Sequence, residues 1–321
     1  MSNGKRGSAL LTVLWLTAAL AAIGLAVASN VRGESERTAS GVDDTKAELE
    51  ARGGVERAAM RMLWSRSVAT PDGQPLFWRY GVPFMDFSFP GAEVHVDVIP
   101  EASKLDLNTL PPEPLARLLL LLGMPEDRAL ETTAAIVDWR TSLEGGRQSP
   151  FDAFYLSRTP SFLARHASFF ENEELLLVKG ITPELYYGST LPPGPKRTAL
   201  RDCVSVYGGA GVDINTAEPV VLQTIGLSPE EINAIVGLRR VRPVTDGQQL
   251  RAVQQSLSEA GRMLRYGGVS MYTLKATARL RQPDGRLSDM RRTTAALVKF
   301  DFPGGKRNFL NYEVIRWYDR Y

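Results

Sequence analysis

The sequence predicts an α+β fold: a long N-terminal helix packed on an antiparallel sheet, with a large all-α domain inserted into that sheet. Three observations predict it. Residues 8–29 form one uncharged apolar run. Residues 94–98 and 269–281 alternate apolar and polar residues with period two, within strand signals over 84–99 and 269–318. The stretch between them turns to helical spacing. The predicted units are a short leader over 1–7, a membrane-spanning helix over 8–29, a helix and first strands over 30–106, an inserted helical domain over 107–267, and the last strands over 268–321.

The apolar run reads SALLTVLWLTAALAAIGLAVAS, and about 20 such residues span a bilayer. Lys5 and Arg6 precede it, which keeps the N-terminus cytoplasmic and places the rest outside. Ala26-Val27-Ala28 offers a secretory cleavage site, but the run exceeds the usual signal core of about 7–15 residues. A cut at Gly7, ahead of the run, is the other processing route, and it leaves the helix in place. Beyond the span, Ala47, Ala51, Val55, Ala58, Ala59, Met62 and Leu63 recur at helical spacing. Gly33, Gly41, Gly53 and Gly54 weaken that pattern, since glycine costs about 1 kcal/mol against alanine inside a helix. The expectation is an interrupted helix ending near Trp64 whose apolar outer half packs on a sheet.

Residues 84–89 and 92–99 flank Pro90-Gly91 as a hairpin; Val94, Val96 and Val98 alternate with an outward His95 and Asp97. Residues 269–281 alternate, Pro283-Asp284-Gly285 turns the chain, residues 290–300 return, and residues 312–318 add a last strand.

Within the inserted domain two stretches resemble each other, LDLNTLPPEPLARLLLLLG from Leu105 and VDINTAEPVVLQTIG from Val212. Asn108-Thr109 and Asn215-Thr216 read as helix caps, with proline early in the next helix and Gly123 or Gly226 ending it. A second helix then runs into Asp138-Trp139-Arg140 or Leu238-Arg239-Arg240. The pattern resembles helix-hairpin-helix modules, which grip DNA backbones through hairpin amides. Here the hairpins read GMPED and GLSPEE, with carboxylates where a phosphate would sit. Arg239, Arg240 and Arg242 read as a solvated helix end. A net charge of +2 also lacks the basic excess of a nucleic-acid binder. Nucleic acid is therefore not an expected partner, and a membrane-anchored DNA-binding protein is the alternative reading.

Catalytic chemistry has no positive signal. There is one cysteine, Cys203, read as a buried apolar residue, and only two histidines, His95 and His166, far apart. No G-x-S-x-G, H-E-x-x-H or Walker A motif occurs. The expectation is a structural protein, not an enzyme, with no cofactor.

Lys5-Arg6-Gly7 followed directly by the apolar run resembles the leader of type IV pilins and type II secretion pseudopilins. Most of that group carry glutamate as the fifth residue after the cut, and this chain has Thr12 there. The order LDLNT, AAIVDWR, ELLLVKGITPELYYG, VDINTAEPVVL is similar to the K-type minor pseudopilins of type II secretion, the general secretion pathway protein K family, in which the missing glutamate is usual. The resemblance implies a pilin-like sheet interrupted by a helical domain, and cleavage by prepilin peptidase between Gly7 and Ser8 with methylation of the new end. It implies a bacterial inner-membrane anchor with a periplasmic bulk. It implies a place at the pseudopilus tip with I- and J-type minor pseudopilins, next to the major pseudopilin, in support of protein export across the outer membrane. Calcium enters by that resemblance only: the loop TSLEGGRQSPFDAFY offers just Glu144 and Asp152, short of the 6–8 oxygens calcium takes, so no ligands are assigned.

Overall fold

A computed structural model describes residues 4–321 apart from 66–67, 69, 72–75, 80, 144–147, 189–197, 210, 267–269, 302–310 and 320–321, with backbone only for 4–10. Helix α1, Gly4–Trp64, is continuous. The expected interruptions do not occur, because nothing crowds Gly33, Gly41 or Gly53, while Gly54 is needed: a Cβ there would stand 2.5 Å from Val94 Cγ1. Its outer half lays Ala51, Val55, Ala58, Ala59 and Met62 on a sheet, and alanine at those positions lets helix and strands approach closely.

That sheet has five antiparallel strands in the order β1-β2-β7-β8-β9: β1 Phe84–Phe89, β2 Ala92–Pro100, β7 Met271–Leu280, β8 Arg292–Asp301 and β9 Asn311–Tyr318. Val94, Val96 and Val98 of β2 and Tyr272, Leu274, Ala276 and Ala278 of β7 face α1, as period-two alternation requires. Because β2 pairs with β7, everything between them leaves the sheet and returns to it.

The excursion begins with a 3-10 turn, Glu101–Ser103, and the two-residue strand β3, Leu105–Asp106. Helices α2 Pro112–Leu121, α3 Glu126–Arg140 and α4 Asp152–Leu156 follow, then a second 3-10 turn, Asn172–Leu177, α5 Pro183–Tyr187 and α6 Leu200–Cys203. Next come β4 Val204–Ser205, β5 Val212–Asp213, α7 Pro219–Thr224, α8 Pro229–Val241, α9 Gly247–Gln255, a third 3-10 turn, Glu259–Met263, and β6 Leu264–Arg265. These elements enclose their own core, with Leu107, Leu115, Leu118, Leu119, Ile136, Tyr155, Leu175 and Ile214 buried in it.

The two related segments found in the sequence fold alike. In the first, β3 runs parallel to β4 and the Leu107 amide donates to Ser205 O; in the second, β5 runs parallel to β6 and the Ile214 amide donates to Arg265 O. Each leads through a helix to a glycine at positive φ, Gly123 at 93° and Gly226 at 104°, and into a second helix.

Candidate functional site

Three regions bear on function: the bare half of α1, the paired helical units, and the seam where the inserted domain meets the sheet. On α1, an 18-residue window of mean hydropathy 2.2 makes no burying contact within the protein. Leu11, Trp15 and Leu25 are 62%, 75% and 73% exposed, an arrangement water disfavours and lipid does not. Gly7 and Ser8 lie in the first turns of α1, where side chains are outside the described residues, and Thr12 lies one turn further on.

In the helical units, the asparagines do not cap helices. The N-caps of α2 and α7 are Pro111 and Glu218, without side-chain bonds. Asn108 instead donates through Nδ2 to Phe169 O (3.1 Å) and accepts from the Phe169 amide (2.7 Å). Asn215 does the same to Val244, 2.8 Å each way. Each carboxamide acts as a backbone mimic that pins a distant loop, which a capping pattern read along the chain does not reveal. The arginines at the ends of α3 and α8 form the second half of this device. Arg140 donates to Leu107 O and Leu110 O, both 2.5 Å. Arg239 donates to Ala217 O (2.7 Å) and Ile214 O (3.4 Å). Burial pushes both guanidinium pKa values below the ordinary value. Arg239 is therefore not part of a solvated basic end, and sequence reasoning missed its role; aligning the two segments at Asn and Arg was the available signal.

The second hairpin end leaves little for a phosphate. Ser228 and Glu231 form a capping box at the start of α8, and Glu231 also accepts from the Ser258 amide. The Ser228 amide, then that of Ser258, holds the Glu231 carboxyl below the usual range. A helix start already occupied by its own carboxylate is a poor anion seat.

The VKGIT stretch has a steric reason. Gly180 has φ of 93° and a Cβ there would overlap Thr132 of α3, which is buried; Lys179 beside it pairs with Glu131 at 2.6 Å. Of the two loop carboxylates, Glu144 lies outside the described residues. Asp152 accepts the Ser149 amide (3.0 Å) and faces His166 Nε2 (3.6 Å), while Asp138 accepts the Ser149 hydroxyl. Asp152 Oδ1, the oxygen that faces His166, accepts no hydrogen bond, and no cluster of three acidic or soft ligands occurs among the described residues.

At the seam, Glu101 is buried and holds three partners. Lys104 Nζ approaches both oxygens (3.1 and 3.3 Å), Ser205 of β4 donates to Oε2 (2.5 Å), and Thr273 of β7 donates to Oε1 (2.5 Å). One carboxylate thus joins the sheet to the inserted domain. Arg316 of β9 adds an outer tie to Glu171 (2.5 Å) and Glu173 (3.5 Å). Nothing in the sequence separates Glu101 from a surface carboxylate; Lys104 is a near neighbour, but Ser205 and Thr273 lie over a hundred positions away. Burial pushes the Cys203 thiol pKa up, which keeps it an inert core residue.

A family profile described as "Type II secretion system (T2SS), protein K" matches residues 102–188. The type II secretion system protein K of Klebsiella pneumoniae is 26% identical over 236 residues, 68% of each chain. Among solved structures, the GspK-GspI-GspJ complex of the enterotoxigenic Escherichia coli type 2 secretion system contains a chain with TM-score 0.50 and 16% identity, covering 88% of this chain and 98% of that one. That likeness carries the fold.

Proposed function

We propose how this chain, which belongs to the type II secretion system protein K family, works: as the minor pseudopilin at the tip of a periplasmic pseudopilus, priming assembly in support of protein export across the outer membrane. The bare apolar half of α1 supports a single-pass inner-membrane anchor, with Lys5 and Arg6 keeping the N-terminus cytoplasmic. Prepilin peptidase would cut between Gly7 and Ser8. The observation that carries the tip reading is the seam. A domain with its own core is fixed to the end of the sheet by the buried Glu101 contacts, so it stands as a rigid mass beside the stacking element. Such a mass obstructs a further subunit above it and suits a terminal position.

Thr12 fits the same place. An incoming pseudopilin pairs its membrane carboxylate with the terminal amine of the subunit before it, and a first subunit has none before it. The I- and J-type minor pseudopilins are the proposed partners, by analogy with the complex in which the similar chain occurs, and the major pseudopilin follows below. Co-expressing the full chain with both minor pseudopilins tests this: the three are expected to co-purify from detergent-solubilised membranes. Purification of this chain alone, with both others present in the same membranes, contradicts it.

A further inference from the structure

The two sides of the helix–sheet sandwich are finished differently. On the β9 side every charge of α1 has a partner. Arg52 meets Asp319 (2.6 Å) and Glu48 (3.3 Å), Arg292 meets Asp44 (3.4 Å) and Glu48 (3.3 Å), and Glu56 accepts from Tyr312. The tie from Arg316 to Glu171 and Glu173 anchors that edge strand to the inserted domain. On the other side β1 is an edge strand that pairs with β2 alone among the described strands.

Beside that open edge stand Arg57 and Arg61, one helical turn apart on α1. Arg57 lies 5.3 Å from the ring centres of Phe87 and Phe89, and Arg61 lies 4.7 Å from that of Phe87. No carboxylate comes within ion-pair distance of either among the described residues, Glu50 near the β1–β2 turn included. Burial, then the charge of Arg57, lowers the Arg61 pKa, as two cations held together without an anion require. The two guanidinium groups themselves lie over the rings, a contact that uses their faces and leaves their N–H edges, matched to carboxylates, without a carboxylate among the described residues at the strand edge.

We propose that the β1 edge, with Arg57 and Arg61 beside it, is the surface on which a neighbouring subunit lays an extended acidic segment, its carboxylates on the two arginines and its backbone along β1. The proposal rests on the reading of this chain as a subunit of an assembly. A lipid headgroup is the wrong anion: Arg57 lies about 42 Å along α1 from the end of the apolar run, at 1.5 Å per residue.

The test uses the full chain in membranes with the I-type, J-type and major pseudopilins of the same system. S88C places a reactive thiol on exposed β1, and the buried Cys203 does not compete. A photo-crosslinker on that thiol is expected to join an Asp- or Glu-bearing peptide of one of the three proteins. R57E/R61E is expected to lower adduct yield about tenfold, and R262E, on the remote exposed Arg262, to leave it unchanged. If charge reversal unfolds the chain, R57K/R61K against R57Q/R61Q decides, since both keep a flexible polar side chain beside Phe87 and only the first keeps the charge. Yield that ignores these charges, or adducts confined to lipid or to peptides without carboxylates, overturns the proposal. Minor pseudopilins that co-purify while S88C stays unlinked sink the β1 surface alone; if none co-purifies, the subunit reading falls and takes the surface with it.

Discussion

Asn108 and Asn215 stand at equivalent places in the two helical units, and each pins a backbone far along the chain in both directions. Arg140 and Arg239 close the same two carbonyls, those one residue before the asparagine and two after it. What differs is the length of chain and the surface around this frame. The first unit reaches 61 positions from Asn108 to its pinned loop and the second 29 from Asn215. The first also presents exposed Leu120 and Leu130 where the equivalent positions of the second are exposed Gln223 and Asn233, while the second exposes Leu238 and Val241 at the end of α8. The polar frame is what the fold requires of each unit, because its buried groups have no water to fall back on. Length and surface are free to vary, and any difference in function between the units lies there.

The sharpest way to break this comparison is to remove the pins. Asn215 is 5% exposed and Asn108 only part-buried. N215A strands the amide and carbonyl of Val244 and is expected to cost about 3 kcal/mol in urea unfolding, with N108A costing less. Equal or reversed costs would show that burial does not set the strength of the pin. Next in size, G180A probes the longer first unit: positive φ together with the overlap on Thr132 is expected to cost about 2 kcal/mol by the same measurement. A neutral G180A would mean that α3 can move away, and that the long insertion is not locked. Smaller again, T133V removes a buried hydroxyl on α3 that has no partner among the described residues, and is expected to stabilise the fold by up to about 1 kcal/mol, read as a higher urea midpoint. A loss on T133V would reveal a bond to that hydroxyl.

The smallest effect lies outside the units, on the outer face of the sheet. His95 is 2.7 Å from Asp86 and 3.2 Å from Asp97. Burial alone would depress its pKa, but the two aspartates carry it above 6.5. A raised folded pKa means the contribution is full below about pH 6.5 and is lost as pH rises through the folded value. The ring is half exposed, so the effect stays under about 1 kcal/mol. Melting temperatures measured between pH 5 and 8 are expected to show this slope in the native chain and not in H95Q.

The strands were legible because their signals are local: β2 and β7 fall where period two places them, and β1 and β8 where the Pro90-Gly91 and Pro283-Asp284-Gly285 turns place them. Helix α1 was legible in extent but not in continuity, since a glycine weighed by propensity alone hides that Gly54 is there for the approach of Val94. The asparagines were seen and given the wrong partner. Asn-Thr before a helix is a local cap signal, and pairing at a separation of 61 or 29 positions leaves no local trace. Glu101 was invisible for the same reason, because only the fold brings Ser205 and Thr273 to it.

The central claim is that the apolar helix is kept and processed at its cytoplasmic end. Intact mass and N-terminal sequence of the chain recovered from its native membrane test this most directly. The account predicts a chain beginning at Ser8 with a methylated amine; a chain beginning at Ser29 would remove the anchor and contradict it.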